Sequence, residues 1–415
     1  DNSVFYYPSV SSSFVFSKLL SSEAINFGKL RLNYAEVGNG APFDRLYDTY
    51  AINNDIGTSM PTTRNNPDLK PERTKSIEAG LEMRFLDNRV GFDVAYYKSN
   101  SIDQILSVPV SVATGYSFKS VNAGEIENKG IEASLNLVPV KTEDFRWSLT
   151  GNFTKNTSKV VALPEGTETI QLGSFQGGIS IQATLDEPFG VIYGSDFVYD
   201  ANGNKVIQSD PDKPRYGMYE TESGQILGDT NPDWMMGISN SFVYKDFALS
   251  FLIDIQQGGS IFSLDQYYGE ATGMYPNSAY INDLGNPVRN PLDEGGGFIN
   301  PGVKADGSPN DIRVDASAFG QFGYAAFPNS EFVYDASYVK LRQVALSYTL
   351  PARYLENSFM TGLQFTLSGS NLWIIHKNVP YADPEAGLSS GNLQGYMTGA
   401  IPTTQEYGFN IKAQF

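Results

Sequence analysis

Apolar and polar residues alternate with a period of two along most of this chain. From Arg89 to Ser99, Val90, Phe92, Val94 and Tyr96 fall on one face, and Arg89, Gly91, Asp93, Ala95 and Tyr97 on the other. Trp147, Leu149 and Phe153 oppose Ser148, Thr150, Asn152 and Thr154, and Ile131, Ala133, Leu135 and Leu137 oppose Glu132, Ser134 and Asn136. Phe247, Leu249, Phe251, Ile253 and Ile255 repeat the pattern. Successive side chains of an extended strand point to opposite faces, so each run reads as a strand with one greasy and one mixed face. Eleven segments qualify: Val10–Leu20, Gly28–Glu36, Thr74–Phe85, Arg89–Asp103, Ile126–Val138, Phe145–Ser158, Trp234–Tyr244, Phe247–Gln257, Ser337–Leu350, Thr361–His376 and Thr404–Phe415. No comparable helical period is present.

The connections alternate between short and long. Asp87-Asn88, Pro139–Asp144, Lys245-Asp246 and Pro351–Met360 are short, with Ser21–Phe27 a fifth candidate. Val37–Arg73, Gln104–Glu125, Lys159–Asp233, Gly258–Ala336 and Lys377–Thr403 are long. Structureless loops of that length are uncommon in compact soluble domains. A barrel in an outer membrane makes the asymmetry routinely, with tight periplasmic turns and large extracellular loops. Phe85, Phe145, Trp147, Tyr244, Phe247 and Tyr348 gather beside the short turns, as an interfacial girdle requires, although aromatic residues favour strands in any setting. The last strand alternates Tyr407, Phe409, Ile411, Ala413 and Phe415, and so keeps an apolar face to its final residue.

Composition narrows the field. The 415 residues include 40 Gly, 25 Tyr and 26 Phe, and only 18% are charged, which suits extended structure better than helix. A net charge of −17 argues against nucleic acid as a partner. There is no cysteine, and His376 is the single histidine, which removes disulfides, thiolate zinc sites and histidine-rich metal sites. No run of 18 apolar residues provides a spanning helix, whereas spanning strands need only about 9 to 11 residues, half of them lumenal. The mean hydropathy of −0.27 therefore leaves a membrane barrel open. The opening Asp-Asn-Ser-Val-Phe-Tyr-Tyr carries no secretory signal, so the expectation is a processed chain or a fragment.

Five groups of residues carry a family resemblance. Asn66-Pro-Asp-Leu-Lys-Pro-Glu72 with Glu78-Ala-Gly80-Leu, and Asn122-Ala-Gly-Glu-Ile-Glu-Asn-Lys-Gly130-Ile-Glu132, resemble barrel segments of TonB-dependent outer-membrane transporters. Leu227-Gly-Asp-Thr-Asn-Pro-Asp-Trp234, then Tyr338-Val-Lys-Leu-Arg-Gln-Val-Ala-Leu-Ser-Tyr-Thr-Leu-Pro351, and Ser368-Gly-Ser-Asn-Leu-Trp373 followed by Asp383-Pro-Glu385, are similar to the SusC/RagA branch of Bacteroidetes. Each is weak alone; their order along Asn66 to Phe415 is specific. The resemblance implies an all-β fold, a transmembrane antiparallel β-barrel, with residues 1–415 as the C-terminal half: about eleven strands of a plugged 22-stranded barrel. It implies active import of a large nutrient, an oligosaccharide or an oligopeptide, driven by TonB, with a SusD-like surface lipoprotein as lid and outer-membrane lipid around the wall. The family's plug domain, TonB-contacting segment and N-terminal barrel strands have no counterpart in these residues. An open half-barrel would leave two unpaired edges in lipid, each unsatisfied backbone group costing several kcal/mol, so a larger whole is expected. The resemblance also makes Tyr407, Phe409, Ile411 and Phe415 a barrel-assembly signal; the plain alternative is a last sheet strand.

Catalytic chemistry finds no footing. A Ser-His-Asp arrangement would have to use His376, and no Gly-x-Ser-x-Gly elbow accompanies it. The 46 carboxylates show no spacing that marks a glycosidase pair. Asp200-Ala-Asn-Gly-Asn-Lys205 has its glycine misplaced for a calcium loop and reads as an Asn-Gly hairpin between Phe197-Val-Tyr199 and Val206-Ile207. Gly38-Asn-Gly40 lacks the third glycine and the helix of a dinucleotide site and reads as a loop. No enzyme activity, cofactor or metal is expected. Substrate contacts are expected in the long loops, with Tyr267, Tyr268, Tyr275 and Tyr280 as stacking candidates that serve equally to pack the loop or meet the lid. Two other classes share the alternation: a passive diffusion porin, and a secreted all-β protein that binds or cleaves glycans.

Overall fold

The computed structural model describes residues 4–20, 22–53, 57–318, 320–387 and 391–415. Eleven long strands form one antiparallel sheet in which every strand pairs with its neighbours in the sheet's own chain order. They are β1 (Ser9–Phe14), β2 (Ile25–Asn39), β3 (Glu72–Phe85), β4 (Val90–Ile102), β5 (Glu125–Lys141), β6 (Phe145–Ala162), β7 (Trp234–Tyr244), β8 (Phe247–Gln257), β9 (Tyr338–Thr349), β10 (Gly362–Lys377) and β11 (Glu406–Gln414). Ten match the segments expected from alternation to within a few residues. The first does not: β1 stops at Phe14, and Phe16–Leu19 forms a 3-10 turn. The Phe16 ring folds back over Gly28, where any side chain would begin 2.6 Å from it. Gly38 and Asn39 also depart from the loop reading, since they extend β2 and pair with Arg73 and Glu72. The Tyr7 phenol lies across Gly38 in the space a side chain would need.

Register sets the two faces of this wall. Leu30, Leu81, Val94, Ala133, Phe153, Met236 and Ile255 are successive cross-strand partners on one face. Glu82, Asp93, Ser134 and Asn152 form the neighbouring row on the other. The apolar face stays uncovered: Leu81, Val94, Leu135, Leu249, Leu346 and Leu367 are all exposed. A water-facing sheet would not leave such a band open, whereas lipid is the matching solvent. Near the short turns this face carries the aromatic residues picked out above. Phe145 and Trp147 both stack on Phe242, and Phe247 meets Tyr348 at 4.7 Å. Trp147 also donates its indole N–H to Asn240 Oδ1 at 3.1 Å, so the one asparagine in that row is bonded rather than bare.

The turns at that end are tight. Lys245-Asp246 closes β7 onto β8 with Tyr244 opposite Phe247, and Lys245 takes a positive φ of 49°. At the other end the long connections are not structureless. Residues 163–233 hold a four-stranded sheet of Thr169–Gly173, Ser180–Thr184, Phe189–Phe197 and Thr221–Asp229. Ser260–Ser263 pairs with Val333–Asp335 and, in parallel, with Tyr396–Met397, which ties two long loops together. A short helix, α1 (Leu264–Gly269), follows. Ile179, Ile181, Ile192, Phe262, Leu264, Phe332 and Tyr396 form a buried core within this loop shell. A second cluster gathers Met218, Val288, Phe298, Ala316, Phe322 and Ala326.

Candidate functional site

The inward face of the wall is charged. A hollow of about 970 Å³ is lined there by Arg31, Glu78, Glu82, Asp93, Glu132 and Asp254, among others. Glu82 and Asp93 sit directly opposite on β3 and β4, an arrangement that repels unless each carboxylate has its own cation. Lys29 Nζ lies 2.7 Å from Glu82, and Arg31 reaches Asp93 with two bonds of 2.6 and 2.8 Å. Arg31 crosses Gly80 to do so: a Cβ at Gly80 would fall 2.8 Å from the guanidinium. That contact gives a physical reason for the glycine of Glu78-Ala-Gly80-Leu.

The other motif segments are also joined, two by two. Asn122 accepts from the Lys70 amide at 2.6 Å and donates to the Lys70 and Asp103 carbonyls at 2.7 and 2.9 Å. Glu72 accepts from the Ile105 amide at 2.8 Å. Thus the Asn66–Glu72 and Asn122–Glu132 segments clasp each other at the loop ends of β3 and β5. In Leu227–Trp234, Thr230 and Asn231 donate to the Gly190 and Phe189 carbonyls at 2.9 and 2.8 Å, which anchors the loop sheet at the start of β7.

A partly buried charged cluster joins Tyr338-Val-Lys-Leu-Arg to Asp383-Pro-Glu385. Lys340, almost wholly buried, places Nζ 2.5 Å from both Asp383 Oδ1 and Glu385 Oε2. Arg342 donates to Asp254 at 2.8 and 2.6 Å and to both oxygens of Glu385, and Tyr338 donates to Glu385 at 3.2 Å. Thr403 donates to Asp383. Arg342 is an extra residue at a bulge: Leu341 and Gln343 pair with Ile253 and Leu252, leaving Arg342 without a register partner on β8. The bulge aims its side chain into the lumen, as such irregularities commonly do. Burial pushes the Asp383 and Glu385 carboxyls up, but the bonds from Lys340, Arg342 and Thr403 outweigh it and hold both below their ordinary values. This latch pins the 378–405 loop to the wall.

The loop shell encloses a separate cavity of about 260 Å³, lined by Tyr219, Glu270, Tyr280, Phe298, Glu331 and Tyr334 with further aromatic residues. Glu270 is buried, and burial raises its carboxyl despite the bond it accepts from Asn277. Burial pushes the Tyr219 phenol up to about 12. Of the four tyrosines singled out from sequence, Tyr280 lines this cavity. Tyr267 packs among Phe262, Tyr324 and Phe332, Tyr268 stands against Tyr267 and Tyr324, and Tyr275 pairs with Tyr381 at 4.9 Å. Sequence reasoning passed over Glu270, Glu331 and Tyr334; they lie on different loop segments and share no spacing. Asp200 closes its hairpin, accepting from Asn202 N and Asn204 N at 2.8 Å and from Asn204 Nδ2 at 3.0 Å. His376 is exposed near the loop end of β10. Tyr407, Phe409, Ile411 and Phe415 are exposed on the lipid-facing side at the sheet edge, with Phe409 over Phe365.

Residues 1–219 match the family model described as "TonB dependent receptor-like, beta-barrel". The chain belongs to this family. The receptor barrel is similar to TonB-dependent receptor P3 of Formosa agariphila, 27% identical over 100% of this chain and 42% of the relative. TonB-dependent receptor SusC of Bacteroides thetaiotaomicron is 25% identical over 77% of this chain and 31% of its own length. In fold the receptor resembles the RagAB peptide importer in its "closed-closed" state, at a TM-score of 0.72 and 19% identity over 99% of this chain and 43% of that one. The chain thus spans less than half the length of the relatives it matches. It is a barrel of the outer membrane that is similar to SusC in sequence and to the RagAB importer in fold, and the curated relatives it matches are named TonB-dependent receptors.

Proposed function

We propose that this chain supplies the wall and loop shell of an importer that takes a large nutrient, an oligopeptide or an oligosaccharide, across the outer membrane. The observation that carries the reading is the pairing of a charged lumenal wall with a structured shell whose cavity combines rings with carboxylates. Tyr280 and Tyr334 offer faces for a sugar or an apolar side chain, and Glu270 and Glu331 offer acceptors for hydroxyl or amine donors. Tyr267, Tyr268 and Tyr275 act one layer behind, fixing the shell. TonB supplies the work through a plug, and a SusD-like lipoprotein closes over the shell. Both edges of the sheet, β1 and β11, are free to pair with further strands of a 22-stranded barrel, for which residues 1–415 are the C-terminal half. The outward stripe of Tyr407, Phe409, Ile411 and Phe415 is read as the element recognised during assembly.

Whole-cell uptake of labelled oligopeptides and oligosaccharides, measured with and without a proton-motive force, tests the reading. Uptake of one class should collapse when the membrane is de-energised, and Tyr280→Ala with Glu270→Gln should weaken it further in energised cells. Uptake that persists unchanged without energy identifies a diffusion porin instead. Intact mass of the denatured polypeptide from outer membranes, about twice that of this chain, is the companion expectation for a 22-stranded wall.

A further inference from the structure

On the outward wall a cluster of lysines stands among the carboxylates Glu36, Glu125, Glu127 and Asp186. On the lipid-facing side of β3 to β6, register places Ala79, Tyr96, Ile131 and Lys155 in one row, and Ile77, Lys98, Lys129 and Thr157 in the next. The third row is Lys75, Asn100, Glu127 and Lys159. Five lysines therefore stand immediately above the apolar band, at the end of the strands that bears the long loops. Antiparallel strands lie about 4.8 Å apart, so four of them span roughly 14 Å, and the rows add a similar height. Lys98 and Lys129 share Glu127, at 2.8 and 3.7 Å, and Lys159 pairs with Asp186. Glu36 on β2 sits opposite Lys75 but accepts a short bond from Tyr34. Lys75 and Lys155 have no carboxylate within 4 Å among the described residues, and both are exposed.

On β7 to β9 the outward face carries Met236, Ile255 and Val339 in the row of Phe153, and Trp234 and Gln257 in the row above it, with no lysine or arginine among the described residues of those rows. On the outward face these lysines thus gather on β3 to β6. Lysine ammonium groups at the border of hydrocarbon and headgroup attract phosphate, while the Tyr96 and Ile131 side chains below them face acyl chains. An anion that also offers apolar chains satisfies both rows; a soluble anion satisfies only the lysines.

We propose that Lys75, Lys98, Lys129, Lys155 and Lys159 form a docking site for the phosphorylated headgroup of an outer-leaflet glycolipid of the lipopolysaccharide class, with its acyl chains lying along Tyr96, Ile131 and Ile77. The site is on the outside of the barrel and is independent of the imported nutrient.

The test uses the receptor purified from outer membranes in detergent, with retained glycolipid counted by native mass spectrometry. Wild-type protein should keep at least one bisphosphorylated glycolipid molecule. The triple variant Lys98→Gln, Lys129→Gln, Lys155→Gln should hold it roughly a hundredfold less tightly, at about fivefold per lysine. Lys304→Gln, in the loop shell where it pairs with Asp311, should change nothing. Should the triple variant fail to assemble, wild-type protein exchanged into nanodiscs keeps the question open to measurement: it should retain bisphosphorylated glycolipid in preference to the enzymatically dephosphorylated form. Equal retention of the two forms, or unchanged retention by an assembled triple variant, would overturn the proposal and leave acyl adsorption as the cause. Displacement by millimolar inorganic phosphate alone would also overturn it, because the lysines would then be binding an anion without its lipid.

Discussion

The wall and the loop shell solve the burial problem in opposite directions. In the shell, apolar residues are turned inward: Phe262, Ile192 and Tyr396 are fully buried, and Tyr396 donates to the Ile179 carbonyl at 2.8 Å from inside the core. In the wall they are turned outward, and Leu249, Leu346 and Leu367 are left uncovered while charges line the concave side. One chain thus contains a water-type globular core and a lipid-type wall. The difference teaches that an exposed leucine is read correctly only once its solvent is known. Leu249 belongs to a strand whose other face carries Ala248, Ser250 and Asp254, so no second protein layer is needed to explain it.

Truncating the shell's core should give the largest effect. Phe262→Ala removes a ring that touches Tyr267 and Tyr396 and leaves a cavity, at a cost of about 3–5 kcal/mol. Limited proteolysis should then cut residues 163–233 and 258–336 many times faster. The strands of the wall should remain protected, because Phe262 lies outside them. Equal loss of protection in shell and wall would show that the two are one cooperative unit and dissolve the comparison.

A charge on the lipid face should come next. Leu249→Arg on β8 should cost about 2–4 kcal/mol of barrel stability if it sits near the bilayer midplane, measured by urea unfolding in liposomes. In a water-facing sheet the same exposed position would accept arginine almost freely. A change below about 0.5 kcal/mol would mean that Leu249 does not meet hydrocarbon.

How legible each part was follows the same division. The wall was readable because period two persists for 9 to 18 residues in β2 to β11, long enough to count. The shell was not, because its strands run from two to nine residues and owe their pairing to distant partners such as Phe262 with Tyr396. The bulge at Arg342 was invisible for the same reason: nothing in Leu341-Arg342-Gln343 marks a skipped register. The motif segments were legible as resemblance, yet their role was not. Asn122, Asn231 and Lys340 prove to fasten loops to strands, which sequence order alone cannot express. The cavity residues Glu270 and Glu331 emerge only when the fold brings them together.

The smallest effect is expected at the latch, where wall and shell meet. Glu385 accepts from Lys340 at 2.5 Å and from Arg342 at 2.6 Å, and removing its charge in Glu385→Gln should cost about 1–2 kcal/mol, read as faster hydrogen exchange across 378–387. Acid should act in the same direction. Burial raises the Glu385 carboxyl, but the cations outweigh it, so its folded value lies below the ordinary 4.5. The loosened loop therefore takes up a proton before the latched one does. Stabilisation is complete above the ordinary value and is lost as pH falls through the folded one. Glu270, raised by burial, has the opposite sign: its neutral form suits the folded shell, so acid protonates it there first and removes a burial penalty. Exchange in 378–387 should accelerate below about pH 4.5 relative to model peptides, while 264–280 is slowed or unchanged. Acceleration of both segments together would mean that acid opens the shell as a whole, and that the latch has no separate titration.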